Sequence, residues 1–173
     1  HTLLCMDAFA EERIGVERED LIVGLAVLCH DFGKPLTTEH HEDHIRSLGH
    51  AEAGEAPTRA FLSGMTNESD LVEAVVPLVR EHLRPKEFFD AQASPSAIRR
   101  LACRVKRIDR LVRVAWADQN GRLGFHADRF PAGEWLLKKA EELSVKSAAP
   151  RPIVMGRHLI ELGLKPGPAF KPI

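Results

Sequence analysis

Cysteine is scarce in this chain, and the little there is excludes two kinds of architecture. Cys5, Cys29 and Cys103 are odd in number, far apart and flanked by apolar residues. They build no disulfide frame and no paired-thiolate zinc site, and they read as buried, reduced thiols of a cytoplasmic protein. Long apolar runs are missing too. Nothing approaches the roughly 18 residues needed to cross a bilayer and no secretory leader is evident, so no membrane partner is expected. An excess of charge of either sign is also absent. The formal net charge is −1, which excludes a protein that wraps nucleic acid by bulk charge alone. No segment alternates at period two, and there is no internal repeat or low-complexity tract. The first residue is His rather than Met, so the chain is expected to be a fragment of a longer product or an incompletely ordered one.

What is present is helical periodicity and enough apolar residues, 44% of 173, for one core. Helices are expected over residues 2–13, 19–31, 50–63, 68–82, 95–105, 107–119, 132–146 and, briefly, 156–162. The fold class is all-α, a helical bundle. Loops are marked at Gly33-Lys34-Pro35, Arg84-Pro85, Ser94-Pro95, Asn120-Gly121, Phe130-Pro131 and Ala149-Pro150. Pro57 and Pro77 fall inside expected helices and should kink or break them. The polar stretch from Thr37 to Leu48 is expected to be one long loop. Its His40, His41 and His44 stand among Glu39, Glu42 and Asp43, which favours solvation over a secondary metal or RNA contact.

Histidine and aspartate recur at the ends of these helices as H…HD…D: His1, then His30-Asp31, then Asp118. A ligand that points into a protein cleft should share a helix face with core residues, and these do. His30 continues the face Val23, Ala26, Val27, and Asp118 the face Leu111, Val114, Ala115. His82 follows Val75, Leu78 and Val79, while His50 leads Ala53, Gly54 and Pro57, and His1 leads Leu4, Cys5 and Ala8. A carboxylate on an apolar face is costly unless a cation compensates it. Asp31 sits where the helix dipole is negative, a poor place for an acid without such a cation. Taken singly, His50 or His82 would more often be a core residue bonded to a carbonyl. Imidazole and carboxylate together suit borderline first-row metals or magnesium, and His1, His30, Asp31 and Asp118 form one candidate ligand set.

Charge is uneven despite the neutral total. Between residues 99 and 113 the chain carries Arg99, Arg100, Arg104, Lys106, Arg107, Arg110 and Arg113 against a single acid, Asp109. On helices this run would form a basic stripe for a phosphate backbone or an ordinary solvated face.

The order H…HD…D, with the words His30-Asp31-Phe32-Gly33-Lys34-Pro35 and Ala117-Asp118-Gln119-Asn120-Gly121-Arg122, resembles the signature of the HD superfamily of metal-dependent phosphohydrolases. Further words sharpen it: Gly49-His50-Ala51-Glu52-Ala53-Gly54, Glu81-His82, and a tail with Gly156, Leu159-Ile160, Leu162-Gly163 and Pro166-Gly167-Pro168. These resemble the HD domain of bacterial tRNA nucleotidyltransferases, the CCA-adding enzymes. The resemblance implies an HD domain over residues 1–147, followed by a tail over 148–173. It implies one or two divalent ions (Mg, Mn, Ni, Co or Fe), with His50 and His82 completing a second site. It also implies hydrolysis of phosphomonoesters or 2′,3′-cyclic phosphodiesters. Asp31 and Lys34 are then the candidate catalytic residues, and Lys34, Arg46, Arg104 and Arg107 the candidate phosphate or RNA contacts. Expected partners are a phosphoester or nucleotide substrate and tRNA, and a homodimer is compatible. The Gly-Ser turn and Asp-x-Asp pair of a nucleotidyltransferase head do not occur, so this chain is not expected to add nucleotides itself. A stand-alone hydrolase of small nucleotides and a non-catalytic RNA-holding or dimerising module are the alternatives.

Overall fold

The structure, a computed structural model, describes residues 1–40, 42, 44–124, 127–150, 156–163, 165 and 167. The expected all-α class is found. The elements run α1 (Thr2–Glu11), α2 (Glu17–Cys29), α3 (Lys34–Thr37), β1 (Thr38–His40), β2 (Ile45–Ser47), α4 (His50–Ala53), α5 (Glu55–Met65) and α6 (Ser69–Glu81). They continue with α7 (Arg84–Asp90), α8 (Pro95–Val105), α9 (Ile108–Asn120), α10 (Pro131–Glu142) and α11 (Gly156–Glu161). No helix among the described residues is long and apolar enough to cross a membrane.

The core forms where apolar stripes at helical spacing meet. α2 is central, packed against α1, α6 and α9, while α10 closes the far side against α7 and α9. Val23 and Val27 of α2, Val75, Leu78 and Val79 of α6, and Leu111 and Val114 of α9 are buried. Each set lies at i, i+3, i+4 and so shares a face. Local chemistry sets the ends. Glu17, Glu19 and Asp20 occupy the first turn of α2, where the dipole favours acids. Ser94 caps α8 by accepting from the Ala97 amide, with Pro95 in the first turn.

Four expectations are corrected. The helix expected over 50–63 is two helices, α4 and α5, parted at Gly54. The loop expected from Thr37 to Leu48 holds a small antiparallel hairpin with Thr38 opposite Ser47, Glu39 opposite Arg46 and His40 opposite Ile45. Its six strand residues are polar or solvent-facing, so no apolar alternation announces it. α3 and α7 were not expected, because Pro35 and Pro85 read as loop marks, whereas proline is well suited to a first helical turn. α6 runs unbroken through Pro77, its apolar face holding it to the core, whereas Pro57 stands in the first turn of α5 just after the break at Gly54, as a helix-breaking proline should. Of the segment called a tail, residues 151–155, 164, 166 and 168–173 lie outside the described residues, as does His41.

Candidate metal centre

Each candidate ligand stands where a helix starts, stops or makes its last turn. His1 precedes α1, His30 follows α2 with Asp31 in the next turn, His50 opens α4, His82 follows α6, and Asp118 lies in the last turn of α9. The ends are brought together by close backbone contact. A Cβ at Gly33 would fall 1.9 Å from the His50 carbonyl oxygen and 2.6 Å from the Gly54 amide. Only glycine there lets the turn after Asp31 lie directly on α4.

The histidines share one arrangement. His30 Nδ1–H donates to the Val27 carbonyl, His50 Nδ1–H to Ser47 and His82 Nδ1–H to Val79, each at 2.7 Å. His1 Nδ1–H donates to Gly121 at 3.0 Å. A carbonyl can only accept, so Nδ1 keeps its proton and Nε2 is the nitrogen that offers a lone pair once the ring is neutral. The four rings gather around the carboxylates of Asp31 and Asp118. His30 Nε2 is buried and has no hydrogen-bond partner. His50 Nε2 and His82 Nε2 face each other at 3.3 Å. With both Nδ1 protons committed, that contact sets lone pair against lone pair unless a proton or a cation lies between them.

Two carboxylates complete the cluster. Asp118 Oδ1 is 2.9 Å from His1 Nε2 and 3.6 Å from His30 Nε2. Asp31 divides its oxygens: Oδ2 lies 3.4 Å from His30 Nε2, and Oδ1 lies 3.5 Å from His50 Nε2. Burial disfavours both carboxylates, but the His30 ring outweighs it in each case, joined at Asp31 by Lys34, and both are held below the usual carboxylate range. Burial also disfavours a charged His30, yet Asp118 and Asp31 overcome it and push its pKa up to about 9. For His82 burial wins, with the charge of His30 adding to it, and the pKa falls to about 4. The pocket therefore calls for positive charge among Asp31, His30 and Asp118 while keeping His82 a neutral donor.

By distance the donor atoms fall into two groups. His1, Cys5, His30 and Asp118 lie within 4.8 Å of one another, as do Asp31, His50 and His82. Asp31 belongs to both sides, since its two oxygens face different groups. Cys5, a core thiol by its apolar flanks, joins the first group, and its signal in the sequence is its i+4 spacing from His1. Burial, aided by Asp118 and Asp31, pushes the thiol up to about 12, and its Sγ packs against the His1 ring at 3.5 Å from Nε2. The set fits a divalent cation: imidazole nitrogens with locked tautomers, two ionised carboxylates and one orphaned buried nitrogen.

The cleft has a volume of about 280 Å³ and is lined by His1, Asp31, Lys34, His50, His82, Leu83, Asp118 and Arg122. A larger hollow of about 750 Å³ lies between α1 and α2, walled by residues such as Phe9, Leu21 and Leu25 and by none of these ligands. Lys34 Nζ sits 2.6 Å from Asp31 Oδ2. Arg46 is exposed on the hairpin and does not line the cleft. The basic run does not form one free face. Arg104 is held by buried Glu81, Arg107 by Asp109 and Glu19, Arg110 by Glu19 and Arg113 by Asp20. Arg122, the last residue of the Asp118 word and without a role in the sequence analysis, is the addition at the cleft.

The model of the HD domain family matches residues 1–114. This chain belongs to the HD domain family. The matched span of the HD domain takes in His1, His30, Asp31, His50 and His82 and stops short of Asp118, which the fold supplies from α9. The HD domain is 36% identical over 121 residues to the Multifunctional CCA protein of Xanthomonas euvesicatoria pv. vesicatoria, covering 68% of this chain and 29% of that protein. It is 34% identical over 149 residues to the CC-adding tRNA nucleotidyltransferase of Thermus thermophilus, covering 83% of this chain and 32% of that one. The Multifunctional CCA protein of Laribacter hongkongensis is 32% identical over 139 residues, 76% of this chain and 32% of its own. The chain thus spans less than a third of the length of these relatives. No solved structure matches it.

Proposed function

We propose that this chain is a metal-dependent phosphohydrolase module, acting on phosphomonoesters or 2′,3′-cyclic phosphodiesters, and the HD part of a tRNA nucleotidyltransferase. The observation that carries the reading is the convergence of four histidine Nε2 atoms, each with Nδ1 bonded to a backbone carbonyl, on the carboxylates of Asp31 and Asp118. In this reading His1, His30, Asp31 and Asp118 hold one ion, and His50 and His82, with the other oxygen of Asp31, hold a second. Divalent ions there would polarise a phosphoryl oxygen and make a nucleophile of water near neutral pH.

The protein's own part is preorganisation. The carbonyl bonds fix the ring orientations before any ion arrives, and such supporting bonds commonly raise metal affinity 10- to 100-fold or so. Asp31 holds both groups of donors in register, and Lys34 places an ammonium against it at the edge of the cleft. The name of the Thermus thermophilus relative, a CC-adding tRNA nucleotidyltransferase, points to tRNA as the partner. An RNA contact from the basic run would fall to Arg99, Arg100 and Lys106, which are exposed, since Arg104 and Arg107 already serve carboxylates.

Metal analysis together with hydrolysis assays tests the reading. Asp31→Ala should lose bound metal and all turnover of a generic phosphomonoester or a 2′,3′-cyclic nucleotide while keeping its helical circular dichroism. His82→Ala should keep one ion and lose the other. Full metal content in Asp31→Ala would refute the ligand assignment, and absence of turnover across a panel of divalent metals would refute the hydrolase.

A further inference from the structure

Building on the phosphohydrolase reading, we propose that Arg122 is the phosphate anchor of the cleft. Its guanidinium takes the non-bridging oxygens of a phosphomonoester or cyclic phosphate whose phosphorus lies at the His/Asp cluster.

Placement comes first. A Cβ at Gly121 would fall 2.2 Å from Cys5 Sγ and 2.7 Å from the Cys5 amide nitrogen, so the chain leaving α9 is pressed directly onto α1. The Gly121 carbonyl accepts the His1 Nδ1–H. One residue thus holds His1 and directs the next, Arg122, onto the rim of the cleft that Asp118 enters from the same helix. Arg122 also lines an adjoining hollow with Lys86, Gln119 and Phe130, so it stands at an entrance and not at a closed wall.

Availability decides its role. Arginines near this core are spent on carboxylates: Arg84 on Glu81 and Glu87, Arg104 on Glu81, Arg110 on Glu19. Arg122 is exposed, and among the described residues no hydrogen bond or ion pair reaches it. The other cation lining the cleft, Lys34, lies 2.6 Å from Asp31. An entering phosphate must therefore displace that carboxylate from Lys34 or meet Arg122. Asp31 and Asp118 repel an anion on their own, so a fixed cation at the mouth offsets them. A planar, permanently charged guanidinium matches two phosphate oxygens at once, which an ammonium does not.

Titration of the manganese-loaded protein with inorganic phosphate tests this. Removing a charged hydrogen-bond partner should weaken phosphate binding in Arg122→Ala by about tenfold or more, with partial recovery in Arg122→Lys. Manganese stoichiometry and thermal unfolding should match wild type, and with a phosphomonoester KM should rise more than kcat falls. Wild-type phosphate affinity in Arg122→Ala, or no phosphate binding by wild type, overturns the anchor. So does loss of manganese from Arg122→Ala, which would make Arg122 a support of the metal site. Phosphate binding that depends on Arg122 without any turnover would uphold the anchor and refute the hydrolase, so the two readings fail separately.

Discussion

Glu19 sits between two arginines that the sequence places far from it. It accepts two 2.6 Å bonds from Arg110 and a longer one from Arg107, tying the start of α2 to the start of α9. The Arg110 bond, against the cost of burial, holds the Glu19 carboxyl below its ordinary value of 4.5. A depressed carboxylate pKa gives stability that is fully present above 4.5 and is lost as pH falls through the lower folded-state value. Glu19→Gln should therefore lower stability at neutral pH and flatten its decline in acid, read from urea midpoints between pH 7 and 3. Parallel acid limbs for the two proteins would contradict this. At this scale His1, His30, His50, His82 and Asp118 could be picked out in the sequence because each extends an apolar helix stripe, and Asp31 because it follows His30 at a helix end. Arg122 could not, since an exposed arginine after a glycine carries no such mark, and only the packing of Gly121 on Cys5 shows where it goes. The pairing of Arg104 with Glu81 was equally hidden, because the two lie on different helices.

Elements meet at the centre through backbone, and glycine sets how closely. The turn holding Asp31 touches α4 at Gly33 and Gly54, and a methyl at Gly33 would collide with main-chain atoms that cannot rotate away. Gly33→Ala should cost roughly 1–3 kcal/mol, as overpacking does, and should also loosen metal retention, because Asp31 and His50 are carried by the two segments forced apart. Gly64 in α5 is the contrast: nothing lies within 4 Å of its would-be Cβ, so Gly64→Ala should stabilise by about 0.4–1 kcal/mol. Urea denaturation and metal analysis of the two variants separate the cases, and equal effects would show that the close contact is unimportant. Long helices such as α2, α6, α8 and α9 were readable because their stripes repeat over three turns. α3, α7 and the hairpin were not. They are too short to show a period, and their stability comes from neighbours, as when Thr38 bonds both the Lys34 carbonyl and the Ser47 hydroxyl.

For the molecule as a whole, the all-α class followed from periodicity, whereas which helices pack on which did not. The near-zero net charge also has a meaning that only the fold reveals: Arg104, Arg107, Arg110 and Arg113 of the basic run are answered by acids on α2, α6 and α9. The centre is the exception, because its donors oppose one another. Two imidazole lone pairs meet at 3.3 Å, and two carboxylates crowd around the buried His30 ring. A divalent cation relieves both conflicts and binds a site that the unfolded chain does not possess. At a free concentration about 100 times its Kd, such an ion adds about 2.7 kcal/mol to folding stability. For a chain of this size, that is a rise of roughly 5–10 °C in Tm. Manganese, nickel or cobalt should produce this rise in thermal unfolding and a chelator should reverse it. Calcium, which prefers oxygen donors, should give less. Asp31→Ala should unfold at one temperature with or without metal, because the carboxylate that links the two donor groups is gone. An equal rise in Asp31→Ala would place the stabilising ion somewhere else on the protein.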